Sequence, residues 1–412
     1  MKQDILVKNI GLLQTPSGDH ARGGSAQAEN IKLKNAAVLI IDGTIEEITW
    51  DGQLPIKAGE AGLVLDAEGN FATPGLVDAH THLVFGGYRQ NEIPLRLKGA
   101  SYTDILQAGG GILSTSKKTR ETGFDELYDK SAAFLDEMLA LGVTACEAKS
   151  GYGLDFENEI KQLKVLSKLN AEHPMDIIPT YMGAHAVPWE YLGRTDEYVN
   201  LMCGKVIPYV AENKLAEYCD VFCEDSAFDA TQSRKYLLRA RECGLGLKIH
   251  ADEIKAIGGA NLAGELAATS AEHLIAIDGA GMATLAEAGT VAVLLPGTSF
   301  YLGKNYAPAR KMMEFKIPVA LASDFNPGSC PSLNLQLVMN MGYLKYGMTP
   351  EEVLTAVTLN AACAVGRGHS FGTLEKGKQG DLVIWDAKDM ETLCYRFGSN
   401  LALQVVKKGE LV

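Results

Sequence analysis

The feature that most constrains this 412-residue chain is an alternation of apolar strands and amphipathic helices from about residue 80 onward. Such alternation predicts a parallel sheet, because each helix carries the chain back to the start of the next strand. About eight such units in one run favour a closed (β/α)8 barrel over an open sheet. Helices are predicted at about 125–141, 157–170, 230–243, 256–268, 280–288, 307–315 and 349–365, and strands from Val143, Asp176, Gly246, His273, Val291 and Val319.

The sequence pattern at both ends of the chain differs from this alternation, because short apolar runs are separated there by turns. Asp42-Gly43 between two apolar runs predicts a two-residue β-hairpin. We therefore expect an α/β protein with a TIM-type barrel and a small β-sandwich domain built from both chain ends. The predicted division is 1–72 for the first part of the β domain, 73–368 for the barrel and 369–412 for the second part of the β domain.

Charge and hydropathy exclude several classes of partner. The net charge is −13 and no run of basic residues is present, which argues against binding to nucleic acid or to an anionic membrane surface. No apolar run is long enough to cross a membrane, and the first residues lack a secretion signal pattern. The eight scattered cysteines are typical of reduced, buried thiols. These features predict a cytoplasmic protein that acts on a small molecule.

The segment Asp78-Ala79-His80-Thr81-His82 is the strongest candidate for chemistry. Residues two apart in a strand face the same side, so His80 and His82 present two imidazoles together. Two histidines in this pattern are more often solvated loop residues than metal ligands. Here they end an apolar run behind the Pro74-Gly75 turn, and buried imidazoles need partners. The context therefore favours half of a divalent metal site.

Chemistry in such a barrel is expected at the carboxyl ends of the strands. Five of the eight histidines and one aspartate fall there, whereas His20, His173 and His369 are expected at the surface. Ligands of this kind suit Zn²⁺, Fe²⁺, Mn²⁺ or Co²⁺, and with an open position they make a Lewis acid that activates water. The pattern predicts a hydrolase or a deaminase. The strand-end residues are His80, His82, His185, His250, His273 and Asp324.

Several motifs resemble the amidohydrolase superfamily. Residues 74–82 are similar to its first-strand signature, His250, His273 and Asp324 to its later ligands and catalytic groups, and residues 372–383 to its return into the β domain. A narrower resemblance is to the imidazolonepropionase family, through residues 82–89, 149–154, 183–185, 250–253 and 323–328. That resemblance implies hydrolysis of 4-imidazolone-5-propanoate to N-formimidoyl-L-glutamate in histidine degradation, with Zn²⁺ or Fe²⁺/Fe³⁺ as the one divalent metal, in a homodimer.

Residue roles follow from the resemblance together with the chemistry of the substrate. The propanoate needs a cation, and an arginine can grip a carboxylate through two hydrogen bonds. In binuclear relatives a carbamylated lysine bridges two metals. Lys149 lies near a strand end but is expected in the loop-like stretch Lys149-Ser150-Gly151, so a single metal is favoured. The predicted metal ligands are His80, His82, His250 and Asp324. The predicted catalytic residues are Glu253, His273, Asp324 and His185, and the predicted substrate-binding residues are Arg89, Tyr102, Tyr152, His185, Glu253, Asn326 and Gly328.

Two alternatives stay open on the sequence. A related enzyme acting on another cyclic amide or on an aminated ring such as a purine would keep the metal site but would not need Arg89. A binding or assembly protein on the same barrel would have lost its metal ligands. Single residues also have plain structural explanations, since Asp252 can be a helix N-cap and His185 a buried structural histidine.

Overall fold

Eight short parallel strands, buried along almost their whole length, form a barrel in strict chain order. Because helices cover the outside of the strands, both of their faces are shielded from water, and this explains the apolar runs in the sequence. The structure is a computed structural model that describes residues 4–99 and 110–412. The barrel strands are β6 (Leu76–Asp78), β7 (Val143–Lys149), β8 (Asp176–Ala184), β9 (Tyr218–Cys223), β10 (Gly246–Ala251), β11 (Ser270–His273), β12 (Val291–Leu294) and β13 (Val319–Leu321).

The barrel closes just beyond the ends of its first and last strands. A parallel bridge joins Thr81 to Phe325, and the His82 amide donates a hydrogen bond of 2.8 Å to the Phe325 carbonyl. The Asp324 amide donates in turn to the His80 carbonyl at 3.0 Å. The prediction of a (β/α)8 barrel with a separate sheet from the chain ends is confirmed.

Helices between the strands begin and end where the local sequence dictates. Gly142, with φ of 91°, follows the helix Phe124–Ala140 as predicted, because glycine tolerates the left-handed conformation. Thr349 caps the helix Pro350–Val357 in a capping box with Glu352. The remaining described α-helices are Ile93–Leu97, Gly111–Glu121, Phe156–Glu172, Thr195–Leu201, Ile207–Glu212, Ala230–Glu242, Gly259–Glu265, Gly279–Ala288, Pro296–Leu302, Ala309–Glu314, Leu335–Tyr346, Leu359–Ala364 and Met390–Tyr395.

Three local predictions were wrong. Strand β9 was not predicted, because its apolar run is interrupted by Asp220. The strand expected to begin at His273 instead ends there, since the buried residues start at Ser270. Lys149 is the last residue of β7 rather than a loop residue, and its side chain is fully buried.

The chain ends form one mixed sheet in the order β16-β15-β14-β5-β1-β2-β3, with β4 also paired to β1. The predicted hairpin at Asp42-Gly43 is confirmed, and both residues have positive φ, at 50° and 78°. Sheet and barrel are continuous in sequence, because β5 of the sheet directly precedes β6 of the barrel. The sheet strands are β1 (Ile5–Thr15), β2 (Ile31–Ile41), β3 (Thr44–Thr49), β4 (Leu63–Asp66), β5 (Phe71–Pro74), β14 (Leu382–Trp385), β15 (Ala402–Lys407) and β16 (Glu410–Leu411).

Buried ionic contacts fasten this sheet to the barrel. The Lys407 ammonium on β15 lies 2.7 Å from an Asp176 carboxylate oxygen at the start of β8 and 2.6 Å from an oxygen of Asp381. The Trp385 indole N–H donates to the Thr73 hydroxyl at 2.9 Å.

No helix in the described part of the chain is both long and apolar enough to span a lipid bilayer.

Candidate metal centre and substrate cavity

Three imidazoles and a carboxylate converge at the carboxyl end of the barrel. Nitrogen atoms of His80, His82 and His250 lie within 4.8 Å of one another. An Asp324 carboxylate oxygen lies 3.5 Å from His80 Nε2 and 3.6 Å from His82 Nε2. The first and last strand ends place three of these residues, and β10 supplies the fourth. The structure thus brings together all four predicted metal ligands.

These donors fit a divalent metal. The four side chains are between 0% and 3% exposed, and His80 Nδ1 and Nε2, His82 Nδ1 and His250 Nε2 have no hydrogen-bond partner. Burial holds the pKa of His80 and of His82 well below the ordinary value, so both imidazoles are neutral and keep a free lone pair. Buried nitrogens without a partner are costly unless an ion binds them.

Asp220 on β9 orients one of these ligands. Its carboxylate lies 3.1 Å from His250 Nδ1, so that nitrogen carries the proton and donates to the carboxylate. The opposite nitrogen, Nε2, is then left with its lone pair toward His80 and His82. Burial disfavours a charged His250, but Asp220 outweighs it and raises the pKa of His250 above its ordinary value.

Site residues after β10, β11 and β13 adopt strained backbone conformations. Asp252, His273 and Asp324 have φ of 51°, 68° and 53°, in the left-handed region that non-glycine residues rarely occupy. Asp252 accepts hydrogen bonds from the amides of Gly259 and Ala260 at the start of the helix Gly259–Glu265, although the N-cap position itself is occupied by Gly258. Such strain persists only where surrounding contacts fix the backbone. Two of the three strained residues, His273 and Asp324, line the cavity over the cluster, whereas Asp252 binds the following helix.

A cavity of about 740 Å³ opens over the metal cluster. The side chain of Arg89 is buried in its wall, and the Arg89 amide donates to the Pro327 carbonyl at 3.0 Å. The guanidinium Nε has no hydrogen-bond partner, and among the described residues no carboxylate pairs with this cation. The lining includes His82, Arg89, Tyr152, His185, Phe222, His250, Glu253, His273, Thr298, Lys304, Asp324, Asn326 and Ser329.

The predicted catalytic side chains face this cavity. Glu253 Oε2 lies 3.7 Å from His273 Nε2, and burial raises the pKa of Glu253. The His185 ring stacks on His82 at 4.9 Å and lies 5.2 Å from the ring of Tyr152. Burial lowers the pKa of His185 and of His273 to about 3, so both imidazoles are neutral at physiological pH.

The loop after β13 shapes the Arg89 end of the cavity. The Asn326 side chain accepts hydrogen bonds from the amides of Gly328 and Ser329 and donates to the Asp324 carbonyl at 2.7 Å. A Cβ atom on Gly328 would lie 1.5 Å from Arg89 Nη2, so only glycine allows the guanidinium to pack there. Tyr102, the remaining predicted substrate-binding residue, lies outside the described residues.

Sequence reasoning missed Asp220 and the buried ion pairs that Lys149 forms with carboxylates close to the metal cluster. Lys149 Nζ lies 2.7 Å from Glu147 Oε2 and 2.8 Å from Asp220 Oδ2, and all three side chains are 0% exposed. The available signal was a single aspartate inside the apolar run 218–223, because a charge in a fully buried strand needs a partner.

The barrel, its closing seam and the imidazole–carboxylate cluster define a metal-dependent amidohydrolase. A model of the amidohydrolase family matches residues 209–412. The atrazine chlorohydrolase from Arthrobacter aurescens TC1, solved in complex with zinc, has the same fold, with a TM-score of 0.73, 17% identity, and coverage of 99% of this chain and 94% of that chain.

Two full-length relatives narrow the family. The imidazolonepropionase of Alkaliphilus metalliredigens is 47% identical over 416 residues, covering 100% of this chain and 98% of its own. That of Thermoanaerobacter pseudethanolicus is 46% identical over 413 residues, with the same two coverages. The chain belongs to the imidazolonepropionase family, and the family predicted from its motifs is confirmed.

Proposed function

We propose that this enzyme hydrolyses the cyclic amide of 4-imidazolone-5-propanoate to N-formimidoyl-L-glutamate, a step of histidine degradation. The observation that carries the proposal is the buried Arg89 guanidinium, which has no carboxylate partner among the described residues and faces the same cavity as the metal cluster. A buried cation of this kind is stabilised by an anionic ligand such as a propanoate group. Imidazolonepropionases that are 46–47% identical over the whole chain support the same substrate.

His80, His82, His250 and Asp324 would hold one divalent metal, Zn²⁺ or iron. Their partnerless nitrogens and a single carboxylate suit either ion. When bound, the metal supplies a Lewis acid that polarises the ring carbonyl and lowers the pKa of water. The chain's own part is to keep the imidazoles unprotonated, which burial achieves for His80 and His82.

Glu253 is assigned to proton transfer. In ring opening, the water oxygen bonds to the ring carbonyl carbon, the carbon–nitrogen bond breaks, and the leaving nitrogen takes a proton. A carboxyl group whose pKa is raised by burial accepts a proton from water and returns it to that nitrogen more readily than an exposed one. We assign His273, whose Nε2 lies 3.7 Å from Glu253 Oε2, to position this carboxylate and to stabilise the charge that develops on the carbonyl oxygen.

His185 has a different role from His273. Its Nδ1 lies 3.0 Å from the Gly151 carbonyl, which only accepts hydrogen bonds, so Nδ1 carries the proton. With a pKa of about 3 the ring is neutral, and Nε2 is an acceptor. We therefore assign His185 to accept a hydrogen bond from a ring N–H of the substrate.

The propanoate tail is assigned to the opposite end of the cavity. Arg89 would bind the carboxylate in a bidentate pair, with Tyr152 and Asn326 lining the same cavity and Gly328 packed against the guanidinium. Asn326 contributes by fixing the loop that carries Gly328, because its amide oxygen accepts both following backbone amides. Tyr102 stays a predicted contact.

An anaerobic assay tests this function. Freshly generated 4-imidazolone-5-propanoate is added to the purified enzyme, and loss of the imidazolone absorbance is followed with and without a chelator. Chelator-sensitive loss with N-formimidoyl-L-glutamate as product is expected. A metal-loaded enzyme that leaves this substrate intact but hydrolyses an uncharged cyclic amide or aminated ring would favour the related-enzyme alternative. Purified protein that neither contains nor binds metal would favour a non-catalytic role.

Further features remain predictions. They are the homodimer, the cytoplasmic location, the absence of nucleic-acid and membrane partners, and the division of the chain at residues 72/73 and 368/369. The choice between zinc and iron also belongs here, since the donor set accepts both ions.

A further inference from the structure

One buried amide joins the two loops that carry Arg89 and Tyr152. Gln162, on the helix Phe156–Glu172, is 0% exposed. Its side-chain nitrogen donates to the Val84 carbonyl at 2.6 Å, and its side-chain oxygen accepts from the Tyr152 amide at 3.2 Å. Because a carbonyl only accepts and a backbone N–H only donates, these two partners fix which way the amide points. Gln162 is therefore a bridge between the loop after β6 and the loop after β7.

Each of the two loops is also anchored on its own. In the loop after β6, Lys130 Nζ donates to the Phe85 carbonyl at 3.2 Å. In the loop after β7, the buried Glu159 carboxylate accepts the Gly153 amide at 2.8 Å. Loss of the Gln162 bridge should therefore leave both loops folded and change their placement relative to each other.

The helix Gly111–Glu121 contacts the same two loops through longer side chains. Lys118 Nζ donates to the Tyr88 carbonyl at 3.1 Å, and Arg120 Nε donates to the Gly153 carbonyl at 2.7 Å. Both of these side chains are partly exposed. A long side chain that reaches water keeps more freedom than a buried amide with both ends bound, so the helix constrains the loops less rigidly than Gln162 does.

The loop after β7 also determines the state of His185 at the ring end of the cavity. The Gly151 carbonyl, next to Tyr152, accepts the proton of His185 Nδ1 at 3.0 Å. A Cβ atom on Gly151 would lie 2.9 Å from the Met182 carbonyl oxygen, so this part of the loop is packed without slack. Gln162 thus connects the backbone beside His185 with the loop that leads to Arg89, and both of those side chains line the cavity.

We propose that Gln162 is a positioning residue that sets the separation between Arg89 and His185, and thereby the length of the carboxylate tail that the enzyme accepts. The inference rests on the proposed function, which assigns the tail to Arg89 and the ring to His185. A tail that is one methylene shorter or longer would place its carboxylate out of register with a fixed guanidinium. One methylene in a well-fitted pocket changes kcat/KM by about 10- to 200-fold.

A comparison of three tail lengths tests the proposal. Metal-loaded wild type and Gln162→Met are assayed anaerobically with 4-imidazolone-5-acetate, -propanoate and -butanoate. Methionine has nearly the shape of glutamine but cannot bind Val84 and Tyr152. We expect the wild type to prefer the propanoate over both homologues, and Gln162→Met to retain less than about a tenth of that preference. A wild type without preference, or a folded Gln162→Met with the wild-type ratio, would overturn the proposal.

Gln336→Met is the matched control. Gln336 is 3% exposed and also joins two segments, since it donates to the Leu141 carbonyl and accepts from the Leu401 amide, both at 2.9 Å. It does not line the cavity. This variant should keep the wild-type preference among the three tails. An equal loss of preference here would show that general loosening of the fold is sufficient, and the proposal would fail.

A second variant covers loss of folding. Gln162→Asn keeps a buried amide but is too short to bind Val84 and Tyr152 together, so it should lose the preference as Gln162→Met does, and the wild-type ratio in this variant would contradict the bridge.

Failure of the proposed function gives a different result. A wild type that hydrolyses none of the three compounds refutes the proposed substrate, whereas turnover with unchanged ratios refutes only the role of Gln162. Hydrogen exchange then decides on the bridge itself. Faster exchange in both segments 83–89 and 150–154 of Gln162→Met, but not of Gln336→Met, supports it, and unchanged exchange contradicts it.

Discussion

His80 and Asp324 contact each other twice, once through the backbone and once through their side chains. The Asp324 amide donates to the His80 carbonyl at 3.0 Å, and an Asp324 carboxylate oxygen lies 3.5 Å from His80 Nε2. The backbone contact belongs to the seam that closes the barrel, and the side-chain contact belongs to the metal cluster. Barrel closure and site assembly therefore depend on the same pair of residues.

Arg89→Met should damage substrate binding while sparing the metal. Loss of a buried, bidentate carboxylate contact costs about 3 kcal/mol, which corresponds to about a 100-fold rise in KM. Arg89→Lys should recover part of the loss, because a lysine keeps the charge but not the planar fork. Steady-state kinetics give KM, and elemental analysis gives the metal content. A fall in metal content equal to the loss of activity would contradict the carboxylate clamp.

Gly328→Ala should reproduce much of that defect without removing any charge. The new Cβ would lie 1.5 Å from Arg89 Nη2, so the guanidinium must move. We expect KM to rise by about tenfold or more, since small displacements of a positioning group are costly. Gly123→Ala is the control, because its Cβ meets no atom within 4 Å. Unchanged kinetics in Gly328→Ala would show that Arg89 does not bind the substrate from its present position.

Glu253→Gln should lower kcat by about 10²- to 10⁴-fold, the usual contribution of general acid–base catalysis. The amide cannot carry a proton between water and the leaving nitrogen, but it preserves the shape of the cavity. Metal content and KM should change little. Glu287→Gln, at an exposed position on the helix Gly279–Ala288, controls for the loss of one acidic residue. A kcat near that of the wild type would assign proton transfer to another group.

Asp176→Asn should destabilise the fold in a pH-dependent way. Burial would raise the pKa of Asp176, but Lys407 outweighs it, and the pKa lies below its ordinary value of 3.8. A carboxyl group of this kind stabilises the folded state at pH values above 3.8, and the contribution disappears as the pH falls through the lower folded-state pKa. Urea unfolding should show a loss of about 3 kcal/mol at neutral pH.

The comparison with the wild type at low pH checks the sign of this effect. As the pH falls below 3.8 the difference in unfolding free energy between wild type and Asp176→Asn should shrink, because the wild-type carboxylate becomes protonated once the pH passes its lowered pKa. A difference that stays constant from neutral to acid pH would mean that the ion pair with Lys407 contributes nothing beyond shape.

Sequence patterns predicted the barrel and the histidines and aspartate that converge at its strand ends. They did not predict which charged side chains are buried inside the barrel or what those side chains contact. His80 and His82 were identifiable because strand periodicity and apolar flanks constrain them locally. Asp220 was not, because its role depends on Lys149 and His250, which lie on other strands and whose proximity no local pattern encodes. The protonated ring nitrogen of His185 could not be predicted for a similar reason, since the carbonyl of Gly151 decides which nitrogen carries the proton.

Because the barrel closes between its first and last strands, the ligand cluster forms only in a chain that extends at least to Asp324. During synthesis, His80 and His82 emerge early, but the cluster lacks its carboxylate until Asp324 has been translated. The sheet beside it is completed later still, when β14 pairs with β5 and β15 brings Lys407 to Asp176. A chain that stops before Asp324 would contain most of the barrel strands and still lack the carboxylate of the cluster.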